Sequence, residues 1–329
     1  MTSQVTSYRW GGHPARWLAG YIPDIPTPFD AEGTVDLAAL GRLCERQIEA
    51  GALAIVVCDI VGEAATLTPA ERDAIIRTAV EASRKRVHVI AGAGSNSTGL
   101  AVENTKQAAA AGADAILSVV PYYNRPMQEG LDAHFRAVAA ATALPIILHD
   151  CPARTARGLS DDTLARLAQS SQFVGLRDGT GDIMRTARLR SLLPAGFRLL
   201  SGDDATALPF IAAGGDGCIS QVMNIAPHQC AAMLAYGQRA RWRAARRLYR
   251  QMLPMVEALA SDTPAALKYA LSLQDLMRPD VRLPLVALDE EAKTTVAKAN
   301  ALLLTCHRSF IQPQLESCWV VRRLARVEQ

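Results

Sequence analysis

From Tyr21 onward, short apolar runs alternate with segments whose apolar residues recur every three or four positions, and the alternation repeats eight times. Tyr21 to Ile25 reads as a strand, and Asp36 to Ala50 as a helix closed by Gly51. Leu53 to Cys58 is continuously apolar, as a strand buried on both faces requires, and Thr68-Pro69-Ala70-Glu71 is a capping box opening a helix to about Ser83. The next strands are Val87–Ala91, Ala115–Val120 and Pro145–His149, with helices over 98–111, from Glu129, and over 160–169. Phe173 to Leu176 is a sixth buried strand that ends at Arg177 and feeds a helix near Asp182. Phe197–Ser201 and Gly217–Gln221 complete the set, and Pro227 opens the helix after strand eight. Eight strand–helix units in this order predict a closed parallel (β/α)8 TIM barrel rather than an open sheet.

Amphipathic stretches over 238–260, 264–277 and 289–305 then predict a C-terminal helical appendage. The expected organisation is an N-terminal extension over 1–16, the barrel over 17–237, the helical domain over 238–308 and a tail over 309–329. Gly92-Ala93-Gly94 after strand three is too short to be a dinucleotide fingerprint.

The composition narrows the function classes. Half of the 329 residues are hydrophobic, and 35 basic residues against 32 acidic ones leave a net charge of +3. That balance argues against nucleic acid or a membrane surface as the partner. Seven scattered cysteines form no disulfide framework and no zinc spacing, and no apolar run approaches a membrane span. A cytoplasmic protein without a cofactor is expected. Lysine occurs only at 85, 106, 268, 293 and 298.

In a barrel of this kind the residues at the C-terminal strand ends point into the site. On strand six that residue is Arg177, a permanent cation that needs an anionic partner when buried. His149 ends strand five and titrates near neutrality. Asp24, Asp59, Glu63 and His149 could form an oxygen-rich metal site, but Arg177 in the same space opposes a cation, so no metal is expected. Asp203-Asp204 is expected to cap the helix after strand seven.

Several motifs resemble the dihydrodipicolinate synthase / N-acetylneuraminate lyase family, of the class I pyruvate aldolase superfamily, across residues 17–308. They are Thr27-Pro28-Phe29, Gly62-Glu63, Pro121-Tyr122-Tyr123-Asn124-Arg125-Pro126, Pro152-Ala153-Arg154-Thr155, Ser201-Gly202-Asp203-Asp204 and Arg282-Leu283-Pro284. The resemblance implies a barrel with a C-terminal helical domain, a homo-oligomer, usually a tetramer built from tight dimers, and lyase chemistry in which pyruvate forms a Schiff base with a strand-six lysine. Here that lysine falls on Arg177, and the relay tyrosine falls on His149. The threonine pair that receives the pyruvate carboxylate falls on Ile60-Val61, preceded by Asp59. Asp24 on strand one, and Ile219 and Gln221 at strand eight, fall at pocket-lining positions. Tyr123, supplied to the neighbouring subunit in the family, and Arg154, which meets a substrate carboxylate, match. The acidic residue of the feedback-lysine site falls on Leu100.

An imine requires a free amine, and arginine does not supply one. The expectation is a divergent member that lacks the catalytic lysine and takes a small carboxylate or keto acid. His149 and Tyr123 would transfer protons, Arg177 would stabilise charge, and Asp24 would lie within salt-bridge distance of Arg177. The alternatives are an inactive member with a binding or assembly role, and a 4-hydroxy-tetrahydrodipicolinate synthase by homology with little or no synthase activity.

Overall fold

The computed structural model describes residues 15–260 and 263–305. Eight parallel strands form one sheet: β1 (Gly20–Pro23), β2 (Ala54–Val57), β3 (His88–Gly92), β4 (Ala115–Val119), β5 (Ile146–Asp150), β6 (Phe173–Asp178), β7 (Arg198–Ser201) and β8 (Gly217–Ser220). Their order β1-β8-β7-β6-β5-β4-β3-β2 leaves β1 and β2 at the seam. A bridge between Asp24 and Val56 spans that seam, where Ile25 N–H donates to the Val56 carbonyl at 2.9 Å. The fold is the (β/α)8 barrel that the alternation predicts.

The helices between the strands are α1 (Leu37–Glu49), α2 (Pro69–Ser83), α3 (Thr98–Ala110), α4 (Gln128–Ala140), α5 (Pro152–Thr155), α6 (Asp161–Leu167), α7 (Ile183–Leu192) and α8 (Ala207–Ala212). Their starts follow from local chemistry. Thr68 and Glu71 exchange the two bonds of a capping box, and Asp36 and Asp182 accept from Ala39 N–H and Arg185 N–H at the first turns of α1 and α7. The one-turn α5, absent from the sequence reading, carries Arg154.

Side chains alternate across each strand. Ile22, Val56, Ile90, Leu117, Ile147 and Val174 fill the barrel interior, while the opposite faces pack against the helices. Gly92 and Gly94 belong to this packing: a Cβ at Gly92 would stand 2.2 Å from the Cys58 carbonyl oxygen, and one at Gly94 2.5 Å from Val119 N. Close backbone approach at the strand ends, and not a phosphate, accounts for both glycines.

Beyond β8 come α9 (Pro227–Gln238), α10 (Trp242–Ala260), α11 (Ala265–Ser272) and a last helix α12 over 290–305. The expected helix over 264–277 stops at Ser272, and the chain passes through a left-handed Asp275. Residues 1–14 of the expected extension and the whole expected tail over 309–329 lie outside the described residues. Among the described residues no helix is long and apolar enough to cross a membrane.

One expected cap is corrected. Asp203 accepts from Ala205 N–H and from the Thr206 hydroxyl ahead of α8, but Asp204 reaches over to β8. It accepts from the Ser220 hydroxyl at 2.6 Å, Gln221 N–H at 2.9 Å and Val222 N–H at 3.1 Å. A carboxylate facing three donors at the next strand end satisfies more of them there than at its own helix.

Candidate functional site at the barrel mouth

The register of β5 with β6 pairs His149 with Arg177 and Asp150 with Asp178. Alternation then sends one pair into the barrel mouth and the other outward. The outward pair is tied down by Arg185 of α7, 2.8 Å from Asp150 and 3.4 Å from Asp178, which also reaches Asp161 at 2.9 Å. Arg185 therefore anchors the two strand ends that carry His149 and Arg177. Sequence reasoning missed this hub. Its signal was an aspartate directly after each mouth residue and an arginine on the following helix.

Inside the mouth, Arg177 is 1 % exposed. Its Nη1 donates to Asp24 Oδ2 at 2.8 Å and to Asp59 Oδ2, while Nη2 faces the Ile219 carbonyl at 3.5 Å. The expected Asp24–Arg177 pair is present, but it is one arm of a three-member cluster. Asp59 Oδ2 also lies 3.4 Å from His149 Nδ1, so Asp59 is the common partner of both altered mouth residues. It follows Cys58, whose φ of 58° places a non-glycine residue in the left-handed region at the end of β2.

Two carboxylates and one guanidinium, all buried, carry a net negative charge if both acids ionise. Burial therefore pushes Asp24 up to about 7 against the pull of Arg177, and the neighbouring Asp59 charge adds to the rise. Burial also acts on Asp59, but His149, Arg177 and the Ile60 N–H outweigh it and hold the acid at about 2. Burial lowers His149 below its ordinary range, against the upward pull of Asp59 beside it. Near neutrality the mouth therefore holds the Asp59 carboxylate, the Arg177 cation and an Asp24 carboxyl close to its midpoint of titration.

Above this cluster lies a cavity of about 540 Å³, with Asp59, Ile60, Tyr122, Cys151 and Arg154 on the barrel side and Thr263 and Leu285 toward the appendage. Arg154 is exposed at its rim. Of the expected site residues, Asp59, Ile60 and Arg154 line the cavity, whereas Asp24, His149 and Arg177 lie beneath its floor. Val61, expected to meet substrate, is fully buried and belongs to the main core cluster. Ile219 contributes only its carbonyl, and Gln221 accepts from the Thr263 hydroxyl at 3.1 Å, joining barrel to appendage. Tyr123 is 90 % exposed with φ 72° and makes no contact with His149 within this chain; its neighbour Tyr122 faces the cavity instead.

All five lysines lie on helices or in the turn after α2. Lys268 of α11 is fully buried against Glu63 at 2.5 Å and the Asp280 carbonyl at 2.9 Å, with its ammonium 4.0 Å from the centre of the Phe29 ring. Burial brings its pKa down to about 8 despite Glu63. This second buried pair, formed between a barrel loop and the appendage, was also unforeseen.

The chain matches the profile of the dihydrodipicolinate synthetase family over residues 17–301. It is 46 % identical over 286 residues to the 4-hydroxy-tetrahydrodipicolinate synthase of Hyphomonas neptunium, covering 86 % of this chain and 97 % of that one. To the enzyme of the same name from Syntrophus aciditrophicus it is 43 % identical, over 83 % and 94 % of the two chains. Among solved structures, the 4-hydroxy-tetrahydrodipicolinate synthase of Methylacidiphilum fumariolicum superimposes with a TM-score of 0.85 at 36 % identity, over 87 % of this chain and 96 % of that one. The dihydrodipicolinate synthase of Acinetobacter baumannii, solved with pyruvate, gives a TM-score of 0.84 at 38 % identity, over 87 % and 98 %. Fold, motifs and matched length agree that this chain belongs to the dihydrodipicolinate synthetase family.

Proposed function

We propose that this protein is a divergent family member that takes a small carboxylate or keto acid into the cavity above its closed barrel mouth and does not form a Schiff base. The observation that carries the reading is Arg177, fully buried at the end of β6 and bonded to Asp24 and Asp59. A guanidinium so held has no free amine, and no lysine stands on any strand. The pyruvate bound by the Acinetobacter relative supports the keto-acid class. Arg154 at the rim would receive the ligand's carboxylate, since Arg177 is already satisfied within the protein. His149, next to Asp59, would exchange a proton with the ligand, and Tyr123 would act from a neighbouring copy in a homo-oligomer.

A second reading is a non-catalytic acid binder. It is favoured by the position of His149 beneath the cavity floor, at 1 % exposure. Two measurements separate the readings. Borohydride treatment with pyruvate should give no adduct by intact-mass spectrometry, and a reduced pyruvyl adduct on any lysine would overturn the central claim. NMR of pyruvate in D2O should show exchange at the methyl group that Arg154→Gln and His149→Gln both abolish; binding by calorimetry without exchange would leave the acid-binder reading standing. A coupled synthase assay should show little or no turnover.

A further inference from the structure

The N-terminal half of α10 is unlike the rest of the surface. Six arginines, two just ahead of α10 (239 and 241) and four within it (243, 246, 247 and 250), fall within twelve residues, and the next acidic residue is Glu257. Several exposed arginines elsewhere are paired, Arg77 with Asp73 at 2.7 Å, Arg136 with Asp132 at 2.7 Å, Arg188 with Asp182 at 3.0 Å and Arg278 with Asp280 at 2.8 Å, and exposed ones that carry no ion pair among the described residues, such as Arg42, Arg84 and Arg125, stand singly on different elements rather than four to one helix face. Among the described residues, no carboxylate lies within ion-pair distance of Arg243, Arg246, Arg247 or Arg250.

The four arginines recur at the i, i+3, i+4 and i+7 spacing of a single helix face, and with Gln251 they line a surface groove of about 450 Å³. The opposite face of α10 is fixed by the buried Ala245, Leu248, Met252 and Met255, so the stripe is held outward on a rigid element. With that apolar face buried, the large apolar side chain that α10 exposes is Trp242 at its start, too little to anchor the helix in a lipid bilayer. Like charges three and four residues apart repel, and cations near a helix N-terminus oppose the helix dipole. In the free protein this arrangement is a standing cost, and an anion removes both parts of it.

We propose that this groove is a binding site for a small ligand carrying two or three adjoining phosphates. Guanidinium forks match phosphate oxygens in pairs, and the groove has the volume of a small-molecule site. The site lies on the helical appendage and involves none of the residues that line the barrel-mouth cavity, so it does not depend on the function proposed above.

Calorimetry at low ionic strength with inorganic triphosphate, a nucleoside triphosphate, orthophosphate and a twelve-nucleotide single-stranded RNA tests the assignment. Both triphosphates should bind saturably and orthophosphate far more weakly; a preference for the nucleoside form would assign the physiological ligand to a nucleotide. Arg246→Gln/Arg250→Gln should weaken triphosphate binding about tenfold, and should raise the melting temperature of the free protein because it relieves repulsion. Absence of saturable triphosphate binding would overturn the proposal. So would binding that survives the double substitution but is lost in Arg154→Gln, which would place the ligand in the barrel cavity. RNA binding without triphosphate binding would replace the small ligand with a nucleic-acid chain.

Discussion

Asp24→Asn isolates the charge arithmetic of the barrel mouth. The substitution keeps the shape of the side chain and an oxygen to accept from Arg177 Nη1, which Asp24 accepts from at 2.8 Å. Arg177 is not left alone, because Asp59 remains bonded to it. The variant therefore does not incur the roughly 3–5 kcal/mol that follows when a buried charge loses its only partner. What it removes is a proton equilibrium. The native carboxyl titrates at about 7 and an unfolded aspartate at 3.8, so the folded state holds a proton that the unfolded state releases between those values. Wild-type stability must then fall as pH rises through that window, and linkage gives a loss of about 2–3 kcal/mol between pH 5 and pH 8 from this group. Urea unfolding followed by circular dichroism at fixed ionic strength should show Asp24→Asn gaining on wild type by that amount from pH 5 to pH 8. A difference between the two proteins that is flat with pH, or that moves the other way, would refute the assignment of Asp24 as the proton-sharing member.

The cluster and its neighbours yield further expectations. Arg177→Met leaves Asp24 and Asp59 buried without their cation and should cost roughly 3–5 kcal/mol by denaturant unfolding at pH 7, with much of the loss recovered at pH 5 as the acids protonate; a cost under about 1 kcal/mol would mean the pair is solvated. Arg177→Lys should restore little synthase activity in the coupled assay, because His149, Asp59, Ile60 and Val61 stay altered; turnover comparable to an ordinary family member would contradict this. Lys268→Met should destabilise by a similar roughly 3–5 kcal/mol because it strands Glu63, whereas Lys268→Met/Glu63→Gln should recover most of it in a double-mutant cycle.

How much of this was readable in the chain follows from the range of each interaction. The eight strands, the capping box and the Asp182 cap rest on residues within a few positions of one another, and they lie within a few residues of where the periodicity puts them. The Asp24–Arg177 pair spans 153 residues, yet barrel geometry aims both strand ends at one mouth and charge supplies the rest. Asp59 as the hub was not readable, because its place depends on Cys58 adopting a left-handed backbone that no glycine announces. Lys268 and Glu63 meet only through the docking of α11 on the barrel, for which the local pattern carries no signal. Val61 shows the limit of reasoning by position: the resemblance places it where a ligand contact is expected, and in the structure its apolar side chain is fully buried in the core.

The cations around the cavity decide how a ligand must enter. Arg177 is committed to Asp24 and Asp59, and Lys268 to Glu63. Arg72 is committed to the carbonyls of Ala64 and Gly92. Each of these is buried, and drawing one away would cost the protein the partner it satisfies. Arg154 alone among the cavity-lining cations is exposed and carries no ion pair among the described residues. On the function proposed above, a carboxylate ligand would be drawn to the rim, with its opposite end toward Asp59, the ionised acid that lines the cavity. An anion at that end would meet like charge, so the lower part of the ligand must be neutral and able to donate a hydrogen bond. A keto acid in its enol form, or a hydroxy acid, has that polarity; a dicarboxylate would have to keep both charges at the rim. Comparing a hydroxy acid with a dicarboxylate of equal length by calorimetry therefore reads the floor charge directly: the hydroxy acid should bind more tightly in the wild type, and Asp59→Asn should erase the preference.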